Sequence, residues 1–326
     1  MFWMVKEKEV SPVIKEFYAL GTVLQFKVFG KRAEAAITAA MNKINEIDDK
    51  MSVFKEYSEL SAINKNAGQK AVKVSEDTFF VLKKAIKYSE LSEGAFDVTI
   101  RPIVGLWGVQ TKHPTIPEEQ KLKQDTKLVN YKDIVLNEAE KTAYLKNVGQ
   151  ALDVGAIAKG YATDKAKEIV VKHKIKNAIL DLGGNVYAVG SKVNGELWSI
   201  GIQDPKSDTG DYIGTIGIKN KSVVTSGNYE RFFEKDGKKF HHIMNPSTGK
   251  PSENGIISTT IVSEDSIDGD ALSTCVYVLG IEKGLELLKS TKGVEAIIIT
   301  EDKKIYLTSG IKDSFKLFKK EYKLNL

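Results

Sequence analysis

Segments with helical periodicity and segments with strand periodicity are mixed along this chain of 326 residues, without a regular strand-helix-strand order. Apolar residues at positions 36, 37, 40, 44 and 47 predict a helix from Ala33 to Met51. Leu24, Phe26 and Val28 alternate with polar residues, which predicts a half-buried strand between Tyr18 and Phe29. This mixture favours an α+β fold over a doubly wound parallel sheet.

The same criteria predict the other elements. Ser75 is a predicted N-cap of a helix that ends before Gly94, and a short helix is expected after Ser58. The segments 94–99 and 102–108 are predicted to form an irregular connection, and 113–127 a surface excursion. Further helices are predicted after Tyr161, from about Asp270, and from Glu282 to Lys289. Further strands are predicted at 133–136, 143–145, 177–182, 186–189, 198–202, 212–218, 296–300 and 305–308.

Composition limits the classes of protein to which the chain can belong. A content of 42% hydrophobic and 28% charged residues is typical of an ordered globular protein, and no linker interrupts the sequence. We therefore expect residues 1–17 to form an N-terminal extension and 18–326 a single domain, with two intertwined subdomains as the alternative. Dispersed lysines and a net charge of +5 do not indicate nucleic-acid binding.

The sequence indicates neither a catalytic cysteine, nor a transmembrane helix, nor a complete signal peptide. Cys275 lies in an apolar run, so we interpret it as a buried hydrophobic residue rather than a nucleophile. No stretch approaches the 18 or more apolar residues of a transmembrane helix. Residues 1–6 become charged too soon for a complete signal peptide and are compatible with the remnant of one.

The residues that suggest chemistry are concentrated between Val223 and Gly280. Two of the four histidines, His241 and His242, stand side by side before a turn-forming Asn-Pro. Asp270 and Thr274 are four residues apart in a predicted helix, so their side chains share one face, and their oxygen atoms suit a hard metal ion. The region is therefore a candidate site.

Each of these residues also has a purely structural interpretation. A strand would bury at most one histidine of the pair, which would then be hydrogen-bonded rather than a general base. Asp270 could interact with the macrodipole in the first turn of its helix, and the Thr274 hydroxyl could bond a backbone carbonyl of that helix. The residues alone do not decide between these interpretations.

A second candidate region precedes the helix after Gly160. The segment 155–160 contains glycines and Lys159, but the lysine precedes the glycine, so it does not match a nucleotide-binding P-loop. Exposed amides at a helix N-terminus beside a lysine could nevertheless bind an anion, the alternative being a plain helix entry. Asp153 could cap the helix or accept a hydrogen bond from a ligand, and Gly183-Gly184 could form a turn or admit a ligand to the backbone.

Taken together and in this order, the motifs resemble those of the ApbE family, the FAD:protein FMN transferases. The resemblance covers most of the chain, in blocks at 20–22, 51–64, 94–108, 152–164, 180–190, 225–249 and 270–280. It implies an α+β fold with mainly antiparallel sheets and packed helices, with a T-fold-related architecture as a variant. It also implies cleavage of FAD at the pyrophosphate, transfer of FMN by a phosphoester bond to a threonine or serine of a target protein, release of AMP, and a requirement for Mg²⁺.

The resemblance also implies roles for individual residues. The metal ligands would be Asp270, Thr274 and the backbone carbonyl of Ala156. The residues that would contact FAD are Leu20, Phe54, Ala95, Phe96, Asp97, Asp153, Lys159, His242, Ile243 and Met244. Phe54 stands where relatives often carry Tyr or Trp, so stacking is expected there without a hydroxyl hydrogen bond. His242 is our candidate for accepting the proton of the target hydroxyl, with Asp270 second.

Two other functions share these residues. Water in place of the target hydroxyl would make the protein a Mg²⁺-dependent FAD pyrophosphatase, and loss of chemistry would leave a non-catalytic FAD-binding protein. The expected partners are FAD and an acceptor protein with a Thr or Ser flavinylation motif, of the membrane-associated redox class. Relatives are commonly exported and lipid-anchored, which favours an extracytoplasmic, membrane-associated location; a cytoplasmic one is the alternative.

Overall fold

The computed structural model describes residues 11–207 and 210–325. The predicted helix 33–51 and the helix after Ser75 are confirmed with the expected bounds, and Ser75 caps the latter by accepting a hydrogen bond from the Thr78 amide. The helices are α1 (Ala33–Met51), α2 (Glu59–Lys65), α3 (Glu76–Leu91), α4 (Arg101–Trp107), α5 (Glu119–Thr126), α6 (Ala158–Lys172), α7 (Ser266–Leu279) and α8 (Ile281–Ser290).

Seventeen strands lie within the described residues. They are β1 (Val13–Ala19), β2 (Thr22–Phe29), β3 (Val72–Lys73), β4 (Ile134–Asn137), β5 (Thr142–Leu145), β6 (Asn177–Leu182), β7 (Asn185–Val189), β8 (Trp198–Gln203), β9 (Tyr212–Ile218), β10 (Lys221–Gly227), β11 (Phe232–Lys235), β12 (Lys238–His241), β13 (Ile256–Ser263), β14 (Glu295–Thr300), β15 (Lys304–Leu307), β16 (Phe315–Leu317) and β17 (Lys323–Asn325).

A nine-stranded sheet forms the centre of the molecule, in the order β1-β2-β6-β7-β10-β13-β14-β15-β17. All neighbours in it are antiparallel except β15 and β17, so the predicted mainly antiparallel α+β class is confirmed. Smaller sheets are formed by β16-β9-β8, by β3-β5-β4 and by the hairpin β11-β12.

The central sheet is covered on both faces. Helices α1, α6 and α7 pack on one face and enclose the largest hydrophobic core, while β8, β9 and β16 cover the other around Trp198, Ile216 and Val262. Cys275 is fully buried in the first core, and burial raises the pKa of its thiol to about 12, which confirms the hydrophobic interpretation. Alternate residues of β10, among them Ser222 and Ser226, face α7.

Several predicted boundaries were wrong. The strand predicted over 18–29 is a hairpin, because Leu20 and Gly21 adopt positive φ, and its first strand begins at Val13 within the predicted extension 1–17. The connection predicted as irregular contains α4, which has Pro102 in its first turn and ends at Gly108 in the left-handed conformation. Strands β10, β11 and β13 were not predicted as strands. For β13 the reason is that it is buried on both faces and therefore shows no alternation.

A third, smaller core lies beside α4. Trp107 packs with Ile103, Leu122 and Met244, and its indole nitrogen donates to the Gly249 carbonyl at 2.7 Å. The segment predicted as a surface excursion therefore contributes α5 and the buried Leu122 to this core. The same core fixes the chain that follows the two histidines.

Candidate functional site

Three connections meet at one end of the central sheet. They are the β1-β2 turn with Leu20 and Gly21, the Gly183-Gly184 turn between β6 and β7, and the loop after β10. Arg231 of that loop donates to the Gly21 carbonyl at 3.3 Å. A side chain at Gly183 would collide with Thr22, whereas one at Gly184 would meet nothing within 4 Å. Gly183 is thus required by the turn, and only Gly184 is open to a ligand.

The N-terminus of α6 is joined to α7 by a buried carboxylate. The Gly160 amide donates to Asp270 Oδ2 at 2.8 Å, and Lys159 Nζ lies 3.3 Å from Asp270 Oδ1. Asp270 itself is only 3% exposed. Residues more than a hundred positions apart in sequence are therefore in direct contact, and the lysine supplies the charge that a buried carboxylate needs.

Close approach of the two helices depends on Gly160. A Cβ atom there would lie 2.6 Å from Ile267 Cα and 2.7 Å from Asp270 Cβ, and it would also collide with the Ser266 carbonyl. Because these neighbours belong to a packed helix, they cannot move aside without separating α6 from α7. The absence of a side chain at Gly160 thus lets the Asp270 carboxylate of α7 reach the Gly160 amide of α6.

The Asp270 contact frees a backbone carbonyl. In a regular helix the amide of residue 160 would bond the carbonyl of Ala156, but here it is directed to Asp270. Within residues 11–207 and 210–325, the Ala156 carbonyl accepts no hydrogen bond, and the Lys159 amide finds no acceptor. The α6 N-terminus therefore carries a free acceptor and a free donor beside a carboxylate and an ammonium group.

Thr274 does not make the backbone bond that a helix-interior threonine usually makes. Its Oγ1 lies 3.3 Å from Ser226 Oγ on β10. The carbonyl of Asp270, four residues earlier, is already bonded by the Ser273 hydroxyl at 2.9 Å. The structural interpretation of Thr274 is therefore wrong for this chain, and its hydroxyl lies on the side of α7 that faces the central sheet.

Helix α7 begins at Ser266, four residues before the predicted start. Asp164 of α6 accepts from the Ser266 and Ile267 amides at 2.8 and 2.9 Å and so caps α7 from outside its own sequence. Asp270 is consequently in the second turn, where its own helix gives it no macrodipole contact; it lies instead at the N-terminus of α6. Burial raises the pKa of Asp164 to about 6.

Asp164 was not recognised as a site-supporting residue from the sequence. Its position one turn after Gly160 on α6 gave no separate signal, since an acid inside a helix is ordinarily a solvent-exposed residue. Only the packing of α6 against α7 shows that each helix caps the other: Asp164 of α6 caps α7, and Asp270 of α7 caps α6.

Only one of the two histidines is buried, as expected, because His242 is partly exposed. His241 is 5% exposed; its Nε2 donates to the Ser252 carbonyl at 3.1 Å and its Nδ1 accepts from the Ile243 amide at 3.2 Å. The ring is fully hydrogen-bonded and serves the structure. Burial lowers its pKa to about 4.

His242 has one ring nitrogen left for chemistry. Its Nδ1 lies 3.1 Å from the Arg231 carbonyl, and because a carbonyl can only accept, Nδ1 carries the proton. The neutral ring therefore has its lone pair on Nε2. Burial, together with the nearby charges of Arg231 and Lys159, lowers the pKa of His242 to about 4, so the ring is a neutral proton acceptor at pH 7.

Ile243 and Met244 differ from His242 in what they can offer a ligand. Both side chains are buried, at 5% and 6% exposure, Ile243 in the main core and Met244 beside Trp107. The Ser252 amide donates to the Ile243 carbonyl at 2.9 Å. Their buried side chains therefore hold the segment 242–244 in place, and only their backbone could contact a ligand.

An exposed aromatic ring lies beside the Asp153 loop. Phe54 is 66% exposed, and the Arg101 guanidinium lies over its ring, 5.0 Å from the centroid. Arg101 Nη1 also pairs with Asp153 Oδ2 at 3.3 Å, while Asp153 Oδ1 accepts from the Gly155 amide at 2.9 Å. Asp153 thus caps the loop before α6, and Arg101, which the sequence did not single out, connects it to Phe54.

The segment Ala95 to Asp97 packs beside the same loop. The Asp153 amide donates to the Val98 carbonyl at 2.7 Å, which aligns the two segments. Phe96 is 2% exposed in the main core, and the Asp97 carboxylate accepts from the Thr99 amide and hydroxyl and from the Tyr131 amide. Burial raises the pKa of Asp97. The Asp97 side chain therefore fixes a turn, and Ala95 is the partly exposed member of the three.

The residues present fit a magnesium ion better than a softer metal. No group of three His, Cys, Asp or Glu side chains that could hold a metal exists in the part of the chain that the structure describes. The available donors are instead the Asp270 carboxylate, the Thr274 hydroxyl and the unbonded Ala156 carbonyl, all oxygen atoms. Mg²⁺ prefers oxygen ligands and is held by few protein groups, so the donor set suits it.

Comparison with known proteins shows a similar architecture and related sequences elsewhere. The profile described as ApbE family matches residues 20–298. Proteins named FAD:protein FMN transferase from Klebsiella pneumoniae and Treponema pallidum are 33% and 34% identical, covering 92% and 90% of this chain and 89% and 86% of their own. The crystal structure of the ApbE protein from Thermotoga maritima superposes with a TM-score of 0.83 at 32% identity, covering 89% of this chain and 95% of its own.

Proposed function

This chain belongs to the ApbE family, and from that premise we propose how its residues perform the reaction. The protein is a transferase that uses FAD as substrate and moves the FMN portion to an acceptor protein. The proposal assigns the phosphate site, the metal ligands, the proton acceptor and the residue type that is modified.

The observation that carries the proposal is the contact of Gly160 with Asp270. It places a carboxylate, a lysine and a free backbone carbonyl together at a helix N-terminus. Asp270, Thr274 and the Ala156 carbonyl would hold a Mg²⁺ ion. When bound, the ion would neutralise the charge that develops on the transferred phosphoryl group and on the leaving AMP.

The same helix N-terminus would bind the FAD pyrophosphate. The free Lys159 amide points out of the first turn of α6, a helix of 15 residues, and the Lys159 ammonium group stands beside it. Helix N-termini carry a partial positive charge, and a fixed positive field in a shielded site stabilises a phosphoryl transition state without reorganisation. This supports the anion-binding interpretation of the segment 155–160 over a plain helix entry.

His242 would accept the proton of the attacking hydroxyl. Its Nδ1 proton is fixed by the Arg231 carbonyl, so Nε2 presents a lone pair, and the lowered pKa keeps the ring neutral. Asp270 is the second candidate, but it is already assigned to the metal ion and also contacts the Gly160 amide and the Lys159 ammonium group. The neutral imidazole is therefore the better acceptor of the two.

The remaining residues would bind the two ring systems of FAD. Phe54 has the exposed ring needed for stacking, with one face covered by Arg101. Asp153 and the partly exposed Ala95 lie beside it, with Phe96 and Asp97 fixing their backbone. Leu20, in the turn held by Arg231, and the backbone of Ile243 and Met244 would complete the binding surface near His242.

The acceptor would be a protein that presents a threonine or serine in a flavinylation motif, of the membrane-associated redox class. Nothing in the sequence of this chain specifies which one. No helix among the described residues is long and apolar enough to span a bilayer.

Mass spectrometry and AMP release test the proposal together. Wild-type protein incubated with FAD, Mg²⁺ and an acceptor should add one FMN to a Thr or Ser and release AMP in equal amount. AMP release of the same rate without acceptor would instead favour the pyrophosphatase alternative. A gain of mass on another residue type would contradict the assigned target.

A variant with a matched control tests the metal ligand. Asp270→Asn should abolish Mg²⁺-dependent AMP release, because the substituted amide offers the ion no charge and meets Lys159 unfavourably. Asp268→Asn on the same helix, where the carboxylate pairs with Lys84 away from the site, should retain activity. If Asp270→Asn only weakens FAD binding, the metal assignment is wrong.

A further inference from the structure

Four oxygen atoms form a continuous chain between β10 and α7. Ser226 Oγ lies 2.8 Å from Ser273 Oγ and 3.3 Å from Thr274 Oγ1, and the Ser273 hydroxyl lies 2.9 Å from the Asp270 carbonyl. Ser273 is fully buried, and Ser226 lies in the row of β10 residues that face α7. The chain therefore begins at the proposed metal ligand Thr274 and ends inside its own helix.

The direction of each hydrogen bond follows from counting protons. A carbonyl can only accept, so the single proton of the Ser273 hydroxyl is used toward Asp270. Ser273 must then accept from Ser226, which uses the single proton of that hydroxyl. Ser226 can consequently only accept from Thr274. Thr274 thus donates to Ser226, Ser226 donates to Ser273, and Ser273 donates to the Asp270 carbonyl.

This order determines what Thr274 presents on its other side. A threonine hydroxyl has one proton and two lone pairs, and here the proton is directed toward β10. Since Ser273 occupies the Asp270 carbonyl, the usual competing bond within the helix is blocked. The lone pairs of Thr274 are left for an electrophile, which is what coordination of a cation by a neutral hydroxyl requires.

We propose that Ser226 and Ser273 are positioning residues that hold the Thr274 hydroxyl with its lone pairs directed toward a divalent cation. The inference rests on the proposed metal site at Asp270 and Thr274. It assigns a role to Ser226 in the Thr225-Ser226-Gly227 tripeptide and to Ser273, neither of which is among the proposed ligands. Partners that orient a ligand typically alter metal affinity by about 10-fold or more when removed.

Cation affinity provides the test, measured apart from turnover. We would titrate Mn²⁺ into the protein with FAD and no acceptor, following free Mn²⁺ by electron paramagnetic resonance. Ser226→Ala should weaken Mn²⁺ binding about 10-fold, and Ser226→Thr, which keeps the hydroxyl, should restore it to within about 3-fold of wild type. In the transfer assay, Ser226→Ala should raise the Mg²⁺ concentration for half-maximal rate while kcat at saturating Mg²⁺ is largely retained.

Ser222→Ala is the matched control. Ser222 lies on the same strand and the same face, is fully buried, and bonds Ser266 at 2.9 Å rather than Thr274. It should lower the melting temperature without changing Mn²⁺ affinity. If Ser226→Ala does the same, Ser226 only supports the packing of α7 and the inference is overturned.

Failure of the metal site itself would look different. Wild-type protein that binds no Mn²⁺ in the presence of FAD would overturn the proposed ligands and the positioning role together. Wild-type binding with unchanged affinity in both Ser226→Ala and Ser273→Ala would overturn the positioning role alone and leave the metal site standing.

Discussion

At the scale of single residues, the ring nitrogens of the two adjacent histidines have different partners, and their proposed roles differ for that reason. Both nitrogens of His241 are bonded to backbone groups, whereas His242 bonds the Arg231 carbonyl through Nδ1 alone. One ring is therefore a structural link between the chain segments around Ser252 and Ile243. The other retains a lone pair for proton transfer.

Substitution should separate these roles. His242→Gln should lower kcat for FMN transfer by about 100-fold or more, the lower end of what general bases contribute, with FAD affinity little changed. His241→Gln should instead lower the free energy of unfolding by about 1–3 kcal/mol, because it disturbs two buried hydrogen bonds, while the folded fraction stays active. Transfer kinetics and urea unfolding would measure both, and near-normal kcat in His242→Gln would refute its role as base.

The pH dependence of transfer provides a second check. Because the pKa of His242 is lowered to about 4, the ring stays neutral well below the ordinary histidine range. We therefore expect kcat/KM to decrease at acid pH with a midpoint near pH 4 rather than near pH 6.5. An acid limb between pH 6 and 7 that disappears in His242→Gln would contradict the lowered pKa of this ring.

Folding must be monitored in that experiment. The folded-state pKa of His242 lies below its unfolded value, so below about pH 6.5 the unfolded chain binds the extra proton first. The stability contributed by burying the neutral ring is consequently lost as the pH falls from about 6.5 toward 4. Circular dichroism at each pH would show whether a decline in rate reflects proton transfer or unfolding.

At the scale of elements, α6 and α7 are in close contact, and each helix supplies a carboxylate that caps the N-terminus of the other. Asp164 caps α7 and Asp270 caps α6, and Gly160 allows the helices to approach. The first turn of each helix is thus stabilised by the other. A shift between the two helices would separate Asp270 from the Ala156 carbonyl, so the proposed site depends on their packing.

Gly160→Ala should break this contact. The added methyl group has no space, so we expect the free energy of unfolding to fall by about 1–3 kcal/mol, and the Mg²⁺ requirement to rise sharply. Gly105→Ala is the control, since a Cβ atom at that helical glycine meets nothing within 4 Å and should stabilise by about 0.5–1 kcal/mol. Thermal unfolding with and without Mg²⁺ would compare them. A neutral Gly160→Ala would show that α6 and α7 tolerate separation.

At the scale of the whole molecule, the proposed site is assembled from segments spread between residues 20 and 274. The sheet positions the β1-β2 turn and the loop after β10 at one end, and the helices bring the Asp153 loop and α7 to the same end. Ligands that bridge these segments should therefore stabilise the entire fold rather than a single loop.

Ligand-dependent stability measures this coupling. FAD with Mg²⁺ at 100 times the dissociation constant should raise the free energy of unfolding by about 2.7 kcal/mol. In Asp270→Asn the increment from FAD alone should persist, whereas the additional increment from Mg²⁺ should vanish. Loss of both increments in the variant would indicate that Asp270 supports FAD binding directly, against its assignment as a metal ligand.

Elements that depend on interactions between residues close in sequence were predicted correctly, and elements that depend on contacts between distant residues were missed. Helices α1 and α3 were predicted with their bounds because their periodicity and the Ser75 cap are local signals. The start of α7 was missed, since its cap is Asp164, a residue of another helix. Strand β13 was missed because burial on both faces removes the alternation by which a strand is recognised.

By itself, the sequence determined the α+β class, the antiparallel character, the family and the transferase activity, because these depend on local periodicity and on motifs in a fixed order. Only the tertiary structure decided that Gly160 bonds Asp270, that Ser226 contacts Thr274, that Arg101 covers Phe54, and which histidine has a ring nitrogen without a partner among the described residues. These contacts join residues 11 to 110 positions apart, and their geometry is set by how helices and strands pack rather than by the preferences of neighbouring residues.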